Sequence, residues 1–321
     1  MPADRIDPLL ITCVGVESDL ALLPHFLAHY LALGIAPGRV RAILNARAAD
    51  APGLDAADAL LAAQGCPPGR RWIAPYTSDS MWAERRALQA AEAGADDWIV
   101  SADVDEFHEY PEPLHAFLAR CDALGVDGVQ GPFIDRLAEG GRLAPVEPAP
   151  PALEQFPVEA EVIWSIAGQG AAHDRWGTVK IMAMKGRVRP QRGGHNAEGG
   201  TMRAPLTTLP LGDFPGIERA DWRFAVPCRV HHLHWVEGLE ARLRRRIETP
   251  GASAAGIEYG RKQLDHIARH DGIALDRVAL DDGRRRLPWR WRLALIRAEG
   301  RARLAARRAR AAAGRLAGRP A

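Results

Sequence analysis

The run Trp98-Ile99-Val100-Ser101-Ala102-Asp103-Val104-Asp105-Glu106-Phe107 constrains this chain more than any other stretch, because an apolar, β-branched segment stops abruptly in three carboxylates. With a helix-like stretch before it, the run predicts a buried strand of an α/β sheet, and such folds place ligands at the C-terminal ends of their strands. Alternation along an extended chain puts Asp103 and Asp105 on one face and turns Val104 into the core. Two adjacent carboxylates repel unless a cation lies between them. A hard divalent ion, Mn²⁺ or Mg²⁺, meets that need by holding a few carboxylate oxygens and completing its shell with ligand phosphates. The plainer alternative for an isolated Asp-x-Asp is that the acids cap a helix or face water.

The rest of the chain alternates in the same way. Leu9 to Val16, Arg39 to Asn45, Arg71 to Ala74 and Gly128 to Ile134 predict strands. Between and around them, the segments 20–33, 50–64, 80–93 and 113–124 carry apolar residues at helical spacing. This order predicts an α/β fold with a mainly parallel, doubly wound sheet and right-handed crossovers. The chain has neither Gly-x-Gly-x-x-Gly nor Gly-Lys-Ser, so a dinucleotide enzyme and a P-loop nucleotidase are not supported. At 321 residues, 47% of them apolar and 26% charged, the sequence is ordinary for a globular protein. It is long enough for one large domain, expected over 1–240, with a basic helical extension over 241–321.

Residues 138–160 are rich in proline and glycine and read either as a functional loop or as disorder. Strand character resumes at 161–166 and 178–184, and again at Val230 to Val236. Cys13, Cys66, Cys121 and Cys228 form no Cys-x-x-Cys pair and read as reduced thiols of a cytosolic protein. The N-terminus has no signal-peptide pattern and no apolar run is long enough to span a bilayer, so a cytoplasmic protein is expected.

Trp98-Ile99 followed by Asp103-Val104-Asp105-Glu106-Phe107 resembles the metal-binding segment of GT-A-type glycosyltransferases related to family 2 and to the family 92 group. In those enzymes the Asp-x-Asp motif holds the metal of a nucleotide-sugar. Phe26 to Gly34 is similar to the helix after their first strand, and Asp19 of Glu17-Ser18-Asp19 falls where they carry a glutamate. Lys180-Ile181-Met182-Ala183 and Gly194-His195-Asn196 resemble their Lys-x-Ile segment and downstream histidine, and His234-Trp235 looks like their C-terminal His-Tyr. The resemblance implies a GT-A fold and a metal-dependent, inverting transfer from a nucleotide-sugar donor to a glycan or lipid-linked acceptor, as in cell-surface polysaccharide synthesis. It implies Asp103, Asp105 and His234 as metal ligands. Asp19, Asn45, Asp103 and His195 would lie toward the nucleotide, with Lys180 aiding departure of the diphosphate; separately, Arg86 on the helix before Asp-x-Asp is a candidate to neutralise phosphate bidentately.

Each of these residues also has a plainer reading. Lys180 can be an edge-strand charge, His195 a loop residue, and Arg85 and Arg86 a solvated helix face. Three histidines in four residues, His231, His232 and His234, favour ligation, with the choice among them open. Asp174 and Glu198 are candidate general bases by their place in glycine-rich segments. The arginine-rich C-terminus reads either as a peripheral contact with the inner face of an anionic membrane or as a solvated tail. No nucleic acid is expected as a partner. A phosphohydrolase or nuclease, and a non-catalytic binding protein with a basic tail, are the rival classes.

Overall fold

The computed structural model of the chain describes residues 6–167, 178–203, 223–224, 226–281 and 288–316. The N-terminal half winds as β1 (Leu9–Gly15), α1 (Leu23–Ala32), β2 (Val40–Ala46), α2 (Pro52–Ala63), β3 (Arg70–Ile73), α3 (Ser78–Glu92) and β4 (Trp98–Ser101). These strands lie in the order β3-β2-β1-β4, all parallel, as apolar runs separated by helices require. Next come β5 (Glu106–Glu109), α4 (Leu114–Ala123), β6 (Gly128–Leu137), a single turn α5 (Ala152–Gln155), β7 (Val158–Glu161) and β8 (Val179–Lys185). β8 inserts antiparallel between β4 and β6, and β7 follows β6 antiparallel, so the sheet becomes mixed beyond β4. This is the α/β layout expected from the sequence, doubly wound and parallel in its first half.

Two-residue strands β9 (Arg189–Pro190), β10 (Ala197–Glu198) and β11 (Met202–Arg203) precede β12 (Arg229–His232), which pairs parallel to β6 and antiparallel to β5. The chain continues with α6 (Leu239–Glu248), α7 (Ala254–His270), β13 (Ala279–Leu280) and α8 (Trp289–Leu316). One apolar core joins α1, α2 and α4 to one face of the sheet through residues such as Leu10, Val14, Phe26, Leu54 and Phe117. A second, with Met81, Trp82 and Leu88 of α3, covers the other face.

Three local expectations are corrected. The run 98–107 is not one strand: β4 stops at Ser101 and the chain turns through Asp103 and Asp105 into β5. Glu106 closes that turn twice, donating its N–H to the Asp103 carbonyl at 2.9 Å and accepting the Asp103 N–H at 3.1 Å on its carboxylate. Residues 163–167 form a π-helical turn instead of a strand, because the Asp135 carboxylate accepts the N–H groups of Val162 and Ile163 at 2.8 and 3.2 Å. β12 ends at His232, where Leu233 donates its N–H to the Asp105 carbonyl at 2.7 Å. The 138–160 segment is ordered. Arg136 donates to the carbonyls of Phe156 and Leu153, and Gln155 bonds across to Glu147.

Tyr30 and Phe26 tie α1 to this turn. The Tyr30 hydroxyl donates to the Glu106 carbonyl at 2.9 Å, and Phe26 meets Phe107 edge-on with ring centroids 6.3 Å apart. Phe26 is fully buried, so Phe26→Ala is expected to lower the unfolding free energy by about 3–5 kcal/mol in urea titration.

Candidate active site

Where β1, β2 and β4 end, a cavity of about 700 Å³ opens, lined from the sheet side by Asp19, Asn45, Asp103, Asp105 and Lys180 and from the C-terminal side by Arg242 and Tyr259. Its centre is the β4–β5 turn.

Asp103 is clamped between two buried cations. Its Oδ1 lies 2.6 Å from Arg85 Nη2 and its Oδ2 2.8 Å from Lys180 Nζ, while Lys180 also meets Glu106 at 2.7 Å. Burial alone would raise the Asp103 pKa, yet the Lys180 and Arg85 charges outweigh it and hold the carboxyl at about 2. Burial pushes Glu106 upward, against the pull of Lys180. Lys180 loses water on burial, but Asp103 and Glu106 keep it charged with a raised pKa. Arg85 sits on the face of α3 that also buries Met81, Trp82, Leu88 and Gln89, and its guanidinium lies 5.1 Å from the Trp82 ring. Gly194, at φ 67°, lets the backbone come close: a Cβ there would fall 2.6 Å from Trp82 and 2.9 Å from Lys180.

Asp105 faces a different set of groups. Its Oδ2 is 3.6 Å from His234 Nδ1, 3.8 Å from His232 Nε2 and 3.8 Å from Arg242 Nη1. Against the cost of burial, the His234 contact and the charges of His232 and Arg242 hold the acid far below the usual carboxylate range. The two imidazoles stack, 5.0 Å apart and 17° from parallel. His232 is held from behind: its Nδ1 bonds Asp135 Oδ1 at 2.9 Å, leaving Nε2 toward Asp105. That bond and the Asp105 charge overcome desolvation and raise the His232 pKa. Asp135 is 1% exposed and also accepts from Trp235 Nε1 at 2.9 Å. Burial, and then the Arg242 charge, push His234 down to about 4, so its ring is neutral near pH 7. Arg242 Nη2 donates to His234 Nδ1 and to the His234 carbonyl, both at 3.0 Å.

This donor set fits a divalent cation. One ligand atom each from Asp105, His232 and His234 lie within 4.8 Å of one another, and so do atoms from Asp103, Asp105 and Glu106. The Asp135–His232 pair is the carboxylate behind an imidazole that orients metal-binding histidines. An oxygen with two imidazoles suits Mn²⁺ better than Mg²⁺. The guanidinium of Arg242 already lies on the same Asp105 oxygen and 4.0 Å from Asp19, so the site places positive charge there.

Seven of the sequence-derived residues meet at the cavity: Asp19, Asn45, Asp103, Asp105, Lys180, His195 and His234. Several of them also hold the frame. Asp19 accepts the Gly15 N–H at 2.8 Å and the Ser18 hydroxyl at 2.7 Å. Asn45 donates to the Trp72 and Ala74 carbonyls, and His195 Nδ1 bonds the Val179 carbonyl at 2.7 Å. Arg86 is not at the cavity; it turns the other way on α3 and reaches the Pro190 carbonyl at 3.3 Å. Glu198 is also absent from the lining, being exposed on β10 opposite Arg189. Asp174 lies outside the described residues. The sequence reading did not single out Arg242 or Asp135, and it left Arg85 and His232 among several possibilities. Arg85 was detectable, since it recurs with Met81, Leu88 and Gln89 at helical spacing; Asp135, an acid ending an apolar strand, carried a weaker signal.

No family model matches the chain, and no curated protein matches it. Among solved structures, it is similar to a crystal structure of residues 1–349 of S. aureus TarS at 10% identity, covering 82% of this chain and 72% of that one, with a TM-score of 0.32.

Asp135→Ala removes the partner of a buried imidazole and is expected to cost about 3–5 kcal/mol near neutral pH. Asp135 is held below its ordinary pKa of 3.8, so its contribution is complete above that value and lost as pH falls below it. The stability gap between wild type and variant, measured by urea unfolding across pH, is therefore expected to narrow in acid.

Proposed function

We propose that the chain is a metal-dependent glycosyltransferase of GT-A type, transferring a sugar from a nucleotide-sugar to a glycan or lipid-linked acceptor in the cytoplasm. The observation that carries this reading is the convergence of Asp105, His232 and His234 beside the Lys180–Asp103 pair in a cavity of about 700 Å³. Asp105, His232 and His234 would hold the ion. When bound, Mn²⁺ or Mg²⁺ supplies a Lewis acid that makes the nucleoside diphosphate a better leaving group.

The chain's own residues do the rest. Arg85 and Lys180 fix Asp103 and Glu106, so the turn keeps its shape when an anion enters. The Lys180 ammonium, buried and charged, stabilises negative charge developing nearby. Asp19 and Asn45 shape the nucleotide end, and Arg242 adds positive charge on the far wall. An inverting transfer also needs a base for the acceptor hydroxyl; the described lining does not single out a carboxylate for that role. A two-metal phosphohydrolase is disfavoured, because Asp103 and Glu106 already hold Lys180 and Arg85 instead of offering a second open ligand set.

Thermal unfolding with Mn²⁺ alone, and with Mn²⁺ plus each of a panel of nucleoside diphosphates, tests the reading. A rise in Tm that requires both metal and one nucleotide, and is lost in Asp105→Ala, is expected. Absence of any nucleotide-dependent shift in the wild type would refute it. In steady-state assays with the donor so found, Lys180→Ala is expected to lower kcat about 10²- to 10³-fold, as when one donor to developing negative charge is removed.

A further inference from the structure

The helix α8 plays no part in the cavity, and its surface has a pattern of its own. Over Trp289–Leu316 it carries nine arginines against a single glutamate, Glu299. Leu293, Ile296 and Gly300, spaced three and four apart, are buried and form its docked side. The opposite side is also apolar. Trp291, Leu295, Ala298, Ala302, Ala305 and Ala309 follow the same alternating spacing of four and three, and all are exposed, Trp291 at 59% and Leu295 at 47%. No arginine interrupts this stripe. Arg290, Arg301, Arg308 and Arg315 run along one margin and Arg292, Arg303 and Arg310 along the other.

An apolar stripe flanked by two rows of cations matches a flat surface that is apolar beneath and anionic above. Arginine stems bury alongside the stripe while their guanidinium groups remain at phosphate level, and a tryptophan at one end suits the water–lipid boundary. A nucleic acid would be served by the cations alone and gives no reason for the uninterrupted apolar row. None of the described helices is long and apolar enough to cross a membrane, so the contact would be peripheral.

We infer that α8 is a membrane-surface helix that docks the protein on bilayers rich in anionic lipid, with Trp291 and Leu295 entering the headgroup boundary and the flanking arginines pairing with phosphates. This does not depend on what the cavity catalyses. The full chain is sedimented with vesicles of phosphatidylcholine or of phosphatidylcholine containing phosphatidylglycerol, at low and high salt, without metal or nucleotide. Binding to the anionic vesicles only, weakened by salt, is expected. Both a Trp291→Ala/Leu295→Ala variant and an Arg290→Gln/Arg301→Gln/Arg308→Gln variant are expected to bind about tenfold or more weakly, with unchanged circular dichroism showing that the fold is intact. No binding to anionic vesicles, full affinity retained in either variant, or displacement of the vesicles by RNA bound more tightly through the same arginines would overturn the inference.

Discussion

Asp19, Asp103, Asp105 and Glu106 crowd the ends of β1 and β4, and charges brought from distant parts of the chain make that crowding tolerable. Arg85 comes from α3, Lys180 from β8, His232 from the end of β12 and Arg242 from α6. Buried carboxylates without such partners would cost several kcal/mol each or take up protons. The strand order that inserts β8 between β4 and β6, and lays β12 beside β5 and β6, is therefore also the order that delivers the cations.

The division of labour within the cluster follows from this charge balance. Asp103 and Glu106 share Lys180 at 2.8 and 2.7 Å, a closed arrangement that fixes the turn. Asp105 has no contact of that length to a charged group: its neighbours stand 3.6 to 3.8 Å away, with one imidazole braced by Asp135 and the other neutral. The first half of the cluster is built to stay as it is. The second sets an Asp105 oxygen and nitrogens of His232 and His234 within 4.8 Å of one another, with Arg242 bonded to His234 Nδ1 at 3.0 Å, and it is the side on which a divalent ion and its phosphates would be bound.

Much of this was legible locally. The alternation of apolar runs and helical spacing located β1 to β3 and α1 to α4 to within a few residues, and Asp103-x-Asp105 pointed to the site through the resemblance of its whole segment, Trp98-Ile99 before it and Glu106-Phe107 after it, to a metal-binding motif. What local pattern could not carry was the meeting of distant elements. Arg86, chosen from a pair on one helix, turned away, while Arg85, one position and a quarter-turn earlier, faced the turn. Arg242 belongs to a helix that read as the start of a basic extension, yet it stands 3.8 Å from Asp105. Asp135 bears on Asp105 through His232, a pairing set by the parallel register of β12 on β6 that places His232 opposite Asp135. The turn at 102–105 escaped because its hydrogen bonds come from the side chain and backbone of Glu106, whose role in a turn has no period to detect.

On this reading Asp105, His232 and His234 form one metal cradle. Pulsed electron paramagnetic resonance of Mn²⁺ bound to the protein tests it most directly, through the couplings of directly bound imidazole nitrogens. Nitrogen couplings are expected in the wild type, diminished in His232→Ala and in His234→Ala and absent when both are replaced. A bound Mn²⁺ whose spectrum shows only water and carboxylate oxygens, unchanged by loss of either histidine, would contradict it.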